Sequence, residues 1–155
     1  LISAIPPVVT GFAIWFNGRG ADRDKRYNLR VAVPLMLGGV ILACSTLVTA
    51  DMRWLIVAVY SIATACQLCF FGSYWTMNSL LIRPAAVGAG FGIINGIGNL
   101  GGFVGPYVGG WVKDATGSLP ASTAIFGGAV VLAGVIALAL TGAVRREMAA
   151  REAVV

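Results

Sequence analysis

The sequence predicts an all-α, polytopic membrane protein with five transmembrane helices, and three observations carry that prediction. Of the 155 residues, 58% are hydrophobic and 11% charged, where a soluble domain carries about 25% charged residues. Apolar runs long enough to cross a bilayer recur at about 1–16, 31–50, 54–82, 86–112 and 121–144. The charges gather between these runs, and no Asp, Glu, Lys or Arg lies well inside one. Residues 1–155 are thus expected to form a single transmembrane region. The chain opens on Leu1 inside an apolar run, without a methionine or a polar leader segment, which gives the expectation of a piece of something longer.

The same composition excludes whole classes of chemistry. With no histidine in the chain, histidine metal sites, Ser/His triads and histidine proton shuttles are unavailable, and no paired carboxylates replace them. Neither an enzyme, a metal site nor a cofactor is expected. Cys66 and Cys69 have C-x-x-C spacing, but in an apolar run they are expected to act as small packing residues. The net charge of +5 is a topology signal rather than a nucleic-acid footprint, because the basic residues sit at span ends.

Taken in order, the first span carries the pair Pro6-Pro7, which frees backbone carbonyls and kinks a helix. Its sixteen residues rise only about 24 Å, short of a ~30 Å hydrocarbon core. Asn17 to Arg30 is expected to be a charged loop, with Arg19, Arg23, Lys25, Arg26 and Arg30 against Asp22 and Asp24. The second span has Pro34 in its first turn and Gly38-Gly39 at its middle, and nothing else in it stands out. The third, from Trp54, is long enough to tilt or kink, and Arg83-Pro84 ends it. Lys113 to Pro120 is expected to be a polar turn, the fifth span to be smooth and aliphatic, and the tail to be basic through Arg145, Arg146 and Arg151.

The fourth span organises the rest. Ten of the 21 glycines fall between Gly88 and Trp111. At 100° per residue, Ile93, Ile97, Leu100, Val104 and Val108 share one face. Gly88, Gly92, Asn95, Asn99, Gly102, Pro106 and Gly109 share the other. GxxxG spacing at 88/92/96 and 101/105/109 predicts close helix packing on that small-residue face. Read alone the glycines resemble a nucleotide loop, but no strand precedes them and their flanks are membranous.

Alternate loops set the orientation. Nine Lys/Arg fall on the side of the 17–30 loop, Arg83 and the tail, against Arg53 and Lys113 on the other. That asymmetry predicts a multi-pass protein of the cell (inner) membrane, with the 17–30 loop and the C-terminus in the cytoplasm.

The polar equipment inside the spans is neutral. Tyr60, Thr64, Gln67, Phe71, Tyr74 and Asn78 follow 4-3-4-3-4 spacing on the third span, with Trp75 beside them. Counting 1.5 Å per residue from the basic ends puts Trp75 and Asn95 each about 10–13 Å deep, and Gln67 and Asn99 each about 20 Å deep. Two antiparallel helices would then present two tiers of amide and aromatic groups at matched depth. Such amides can either bond across a helix pair as glue or line a wet path.

Two stretches carry a family resemblance. Gly18-x-x-x-Asp22-Arg23-x-x-Arg26 resembles the signature loop of the major facilitator superfamily, with Lys25 where a glycine is usual and Tyr27 where an arginine is usual. Tyr74-Trp75-Thr76 and the run from Ile94 to Ser118, a glycine-asparagine helix followed by a Lys-Asp-x-Thr-Gly turn, are similar to the anion:cation symporter branch that includes tartrate, phthalate, galactonate and glucarate permeases. The resemblance implies helices 8–12, the C-terminal half of a twelve-helix bundle. It implies that Asp22 contacts a neighbouring helix terminus and arginine to hold the cytoplasmic gate, within the loop formed by Gly18, Asp22, Arg23 and Arg26. It also implies that Trp75 and Asn95 line a sugar-acid site, to which the matched tiers add Asn99, Gln67 and Tyr74.

The expected function is secondary active transport of a small organic anion, a sugar acid or dicarboxylate, by proton symport and alternating access. Its partners would be the substrate and proton, the lipid bilayer and the N-terminal half of the same transporter, with no nucleic acid. The other readings are a major facilitator carrier of a sugar or drug, and a membrane packing subunit that transports nothing.

Overall fold

A computed structural model describes residues 4–48 and 51–152. Among them there are only helices and short turns: α1 (Ile5–Asp24), α2 (Tyr27–Cys44), α3 (Arg53–Leu68), α4 (Phe71–Leu81), α5 (Val87–Thr116), α6 (Leu119–Ala139) and α7 (Thr141–Glu152). Four stretches are long and apolar enough to span a bilayer: Tyr27–Leu47, Arg53–Leu81, Pro84–Thr116 and Leu119–Ala150. The chain is therefore an all-α, multi-pass membrane protein. The first predicted span is helical as well, but its apolar part gives way to charge after Phe16. Residues 1–3 of that span and 49–50 of the second lie outside the described residues.

Three boundaries differ from those the sequence predicts. The charged segment 17–30 is not a loop, because α1 runs on to Asp24 and α2 begins at Tyr27. Lys25 closes α1 with φ 52°, its N–H bonding the Ala21 carbonyl at 2.9 Å. This left-handed cap is the conformation glycine adopts most easily. The lysine at the family's glycine position thus keeps the tight turn, at a cost of about 1 kcal/mol. Secondly, the third span breaks at Cys69-Phe70 into α3 and α4. Thirdly, α5 continues through Lys113 to Thr116, so the polar turn shrinks to Gly117-Ser118. Gly117 caps α5 at φ 66°, and the Ser118 hydroxyl accepts from the Ala121 N–H to start α6.

The core lies where α2 meets α6, α3 and α4. Val31, Ala32, Leu35 and Ala137 are buried together, with Phe70, Tyr74, Val130 and Leu138 packed around them. Helices α2 and α6 approach backbone to backbone. A Cβ at Gly39 would lie 2.6 Å from the Gly127 carbonyl oxygen, and one at Gly127 would lie 2.6 Å from that of Gly39. Two turns further along, a Cβ at Gly134 would lie 2.9 Å from the Ala32 carbonyl oxygen. Close packing through small residues therefore falls on the second and fifth spans, through Gly39, Gly127 and Gly134 rather than the GxxxG repeats of the fourth.

Helix α5, predicted to be the packing helix, is instead peripheral. Among the described residues nothing approaches within 4 Å of a Cβ built at Gly88, Gly92, Gly96, Gly98, Gly101 or Gly102. Close contacts fall at its two ends: a Cβ at Gly90 would sit 2.7 Å from the Ile82 side chain, one at Gly109 would sit 3.0 Å from the Phe126 ring, and the Ser122 hydroxyl donates to the Gly109 carbonyl at 2.8 Å. The expectation that Gly102 lies in a helix contact does not hold within these helices, because α6 crosses α5 beyond it.

Two buried asparagines fasten the basic end. Pro34 has no N–H, so the Arg30 carbonyl one turn earlier loses its helical donor. The Asn17 amide donates to that carbonyl at 3.0 Å and to the Cys69 carbonyl, at the α3/α4 break, at 2.8 Å. Asn28 donates to the Thr141 hydroxyl at 2.6 Å, joining α2 to the start of α7.

Candidate functional site

A cavity of about 540 Å³ opens between α2, α4, α5 and α6. The break at Cys69-Phe70 shapes it, since α4 restarts there and carries Phe71, Tyr74 and Trp75 along the wall. Tyr74 stands edge-on to Phe70 and Trp75, with ring centroids at 5.6 and 5.5 Å. Trp75 meets Phe91 of α5 at 4.7 Å, which is the aromatic bridge between those two helices. From α5 itself Asn95 and Asn99, one turn apart, line the opposite side.

Four of the five residues predicted for the site thus share one cavity: Tyr74, Trp75, Asn95 and Asn99. Of the matched tiers, Trp75 and Asn95 share the cavity, and of Gln67 and Asn99 only Asn99 does. Gln67 does not line it. Its Cγ lies 3.0 Å from where a Cβ at Gly38 would stand, so it leans on α2. The prediction placed Gln67 and Tyr74 on one face by assuming an unbroken helix, and the break at Cys69-Phe70 ends that register. Asn78 turns back on its own helix, donating to the Tyr74 carbonyl at 2.9 Å.

The asparagine amides divide by partner, while Gln67, outside the cavity, has no side-chain hydrogen bond to a described residue either. Asn17, Asn28 and Asn78 each donate to a protein oxygen. Asn95 and Asn99 have no side-chain hydrogen bond to any described residue, and both face the cavity. Each keeps two N–H donors and a carbonyl acceptor for whatever occupies that space. The apolar side chains around them, such as Val31, Leu35 and Ile136, leave the four polar groups as its orienting features.

The signature segment has a different geometry from the expected loop. Gly18, Asp22 and Arg23 lie on the last turns of α1, and Arg26 precedes the first turn of α2. Within this segment the arginine-paired acid is Asp24, not Asp22. Its Oδ2 accepts from Arg30 Nε at 3.1 Å and from an Arg30 terminal nitrogen at 2.6 Å, and its Oδ1 caps the Arg26 N–H at 3.0 Å. The Arg30 hydrogen bond, with help from the Arg26 N–H, holds the Asp24 carboxyl below the usual carboxylate range. Asp22 faces a basic cavity with Arg19, Arg23 and Arg30. Sequence reasoning missed Asn17 and Asn28, which looked like loop residues; Pro34, which strips a donor from Arg30, was the available signal for Asn17.

No family model matches the chain, and no solved structure does. Curated relatives do. Two proteins of Agrobacterium vitis, each named "Putative tartrate transporter", are 33% and 30% identical over 90% of this chain, which covers 32% and 30% of their own lengths. A "Quinolone resistance transporter" of Acinetobacter baumannii is 31% identical over 77% of this chain and 27% of its own length. The chain spans about a third of the length of these two tartrate-named relatives. That similarity runs through both the signature segment and the glycine helix, and the proteins it is shared with are named as transporters.

Proposed function

We propose that this chain forms one wall of the substrate path in a secondary transporter of small organic anions. The observation that carries the reading is the pair of unpartnered amides, Asn95 and Asn99, facing Tyr74 and Trp75 across one cavity. The amides would bond substrate hydroxyls or carboxylate oxygens, and the indole and phenol would form the wall behind them. The tartrate-named relatives support an anionic substrate. Since the cavity has no charged lining residue here, charge recognition and the proton-carrying carboxylate would come from an N-terminal half. The two halves would rock about the site in alternating access. The basic ends would face the cytoplasm of the inner membrane, with Gly18, Asp22, Arg23 and Arg26 steadying the gate on that side.

Counterflow of labelled tartrate in liposomes containing the full-length protein tests transport directly. A pH gradient that accelerates uptake would support proton coupling. Loss of one neutral hydrogen bond is worth about 0.5–1.5 kcal/mol, so Asn95→Ala should weaken apparent affinity roughly threefold to tenfold. Cysteine placed at position 95 should react with a small aqueous thiol reagent and be protected by substrate. Ile97→Cys, on the opposite face, should stay silent. No reaction at 95 in either the inward- or the outward-facing state would remove that residue from the path. A second reading, an aromatic carboxylate as substrate, is favoured by the aromatic wall and by the quinolone-named relative. Counterflow of a labelled benzoate-type anion, with none of labelled tartrate, would select it.

A further inference from the structure

We propose that the outer face of α1 is a binding site for an anionic phospholipid, with its phosphate among arginines and one acyl chain along the helix. Two adjoining cavities on this helix carry the inference, and they meet at Trp15. One, of about 870 Å³, is lined by Arg19, Arg23 and Arg30 with Asp22. The other, of about 370 Å³, is wholly apolar and lined by Val8, Gly11, Phe12 and Trp15. Val8, Phe12, Trp15, Arg19 and Arg23 follow 4-3-4-4 spacing, so one helix face passes from apolar to basic without a step sideways.

The residues look built for this. Gly20 leaves room for the Arg30 guanidinium, which would collide with a Cβ there, and Asp24 fixes that guanidinium in place. Arg19 lies over the Trp15 ring, 4.9 Å from its centroid, a cation–π contact at the junction of the two cavities. Three arginines less Asp22 and Asp24 leave one positive charge, which matches a phosphodiester monoanion. Gly11 leaves a dent, with nothing within 4 Å of a Cβ placed there. Phe12 and Trp15 flank it with 70% and 58% of their surface exposed. From residue 8 to residue 19 the helix rises about 16 Å, enough to hold most of one leaflet's acyl chain. A free anion would use the arginines but has no use for the apolar groove, so a lipid is the occupant that fits both. Basic pockets at a membrane surface hold anionic headgroups on this principle.

The test uses the full-length protein in detergent, with lipid retention counted by native mass spectrometry after addition of dioleoyl phosphatidylglycerol or dioleoyl phosphatidylcholine. Phosphatidylglycerol should be retained in preference. Each arginine removed should cost about fivefold, so the Arg19→Gln, Arg23→Gln double variant should lose most of it while Arg19→Lys keeps it. Gly11→Leu, which fills the groove, should lower retention with the arginines intact. Equal retention by the folded double variant and the parent would overturn the proposal. So would inorganic phosphate displacing the lipid while Gly11→Leu has no effect, since that outcome marks a free-anion site. A photo-reactive benzoylphenylalanine at position 12, irradiated in phosphatidylglycerol vesicles, should give a lipid adduct, and an adduct to protein alone would assign this face to a protein partner instead.

Discussion

Helix α5 holds ten glycines between Gly88 and Trp111, yet among the described glycines the closest approaches to another helix's backbone are made from α2 and α6, which hold five in all. The difference lies in matching rather than number. Gly39 and Gly127 each remove a Cβ from where the other's carbonyl oxygen must lie, so two glycines on two helices create one contact. Seven of the ten on α5 have no such counterpart among the described residues. What α5 presents instead is exposed surface, with Ile97 and Phe103 65% and 79% exposed, together with two amides aimed into a cavity. One region is locked by complementarity and the other is left free to meet something. A packing role and a lining role therefore separate between helices that composition alone had merged.

The largest expected effect tests the locked region. Gly39→Val would drive a branched side chain into the backbone of α6, where no side chain can move aside. Overpacking of this kind costs about 3 kcal/mol, so thermal unfolding of the purified protein should shift down sharply. Gly128→Val, beside Gly127 on α6 but with nothing within 4 Å of its Cβ, should shift far less. Equal shifts would mean that the α2–α6 approach is not the close contact described.

The amides give the next contrast. Asn17→Ala would leave two carbonyls without donors, one freed by Pro34 and one at the α3/α4 break. A buried unsatisfied group costs about 1–3 kcal/mol, so stability should fall by that order. Asn95→Ala breaks no bond to a described residue and should leave stability within about 0.5 kcal/mol while weakening substrate affinity. If the two variants exchange behaviour, so that Asn95 proves structural and Asn17 does not, the division into bonded and free amides fails.

Much of this was legible in advance, and the residues show why. The spans followed from apolar runs, whose length a bilayer dictates, and Trp75 and Asn95 met because depth along a helix is simple arithmetic. Gln67 falls outside the cavity that Tyr74 lines, across a break at Cys69-Phe70 for which Gly72-Ser73 is the one local signal. Gly39 and Gly127 were invisible as a pair, since a contact 88 positions apart in the chain depends on how two helices are juxtaposed. Lys25 stands where the resembling loop usually has glycine, and the backbone makes the left-handed turn there with lysine all the same.

The smallest effect gives the finest test of how α5 is used. Alanine in a helix is favoured over glycine by about 0.8–1.0 kcal/mol, so an open glycine should gain stability on replacement and a packed one should not. Gly102 is open, and Gly102→Ala should stabilise the protein by about 0.5–1 kcal/mol. Gly109 is not, because its new methyl would stand 3.0 Å from the Phe126 ring, tighter than ordinary contact. There the gain in propensity is offset by the ring's displacement, and by strain on the neighbouring Ser122 bond to the Gly109 carbonyl. The expected result for Gly109→Ala is no gain, or a loss of up to about 1 kcal/mol. Both variants keep the helix and change only one methyl, so their difference in midpoint temperature isolates the contact with α6. A loss at Gly102 as large as that at Gly109 would have one physical meaning: a segment other than these helices closes on the glycine face in the full-length protein.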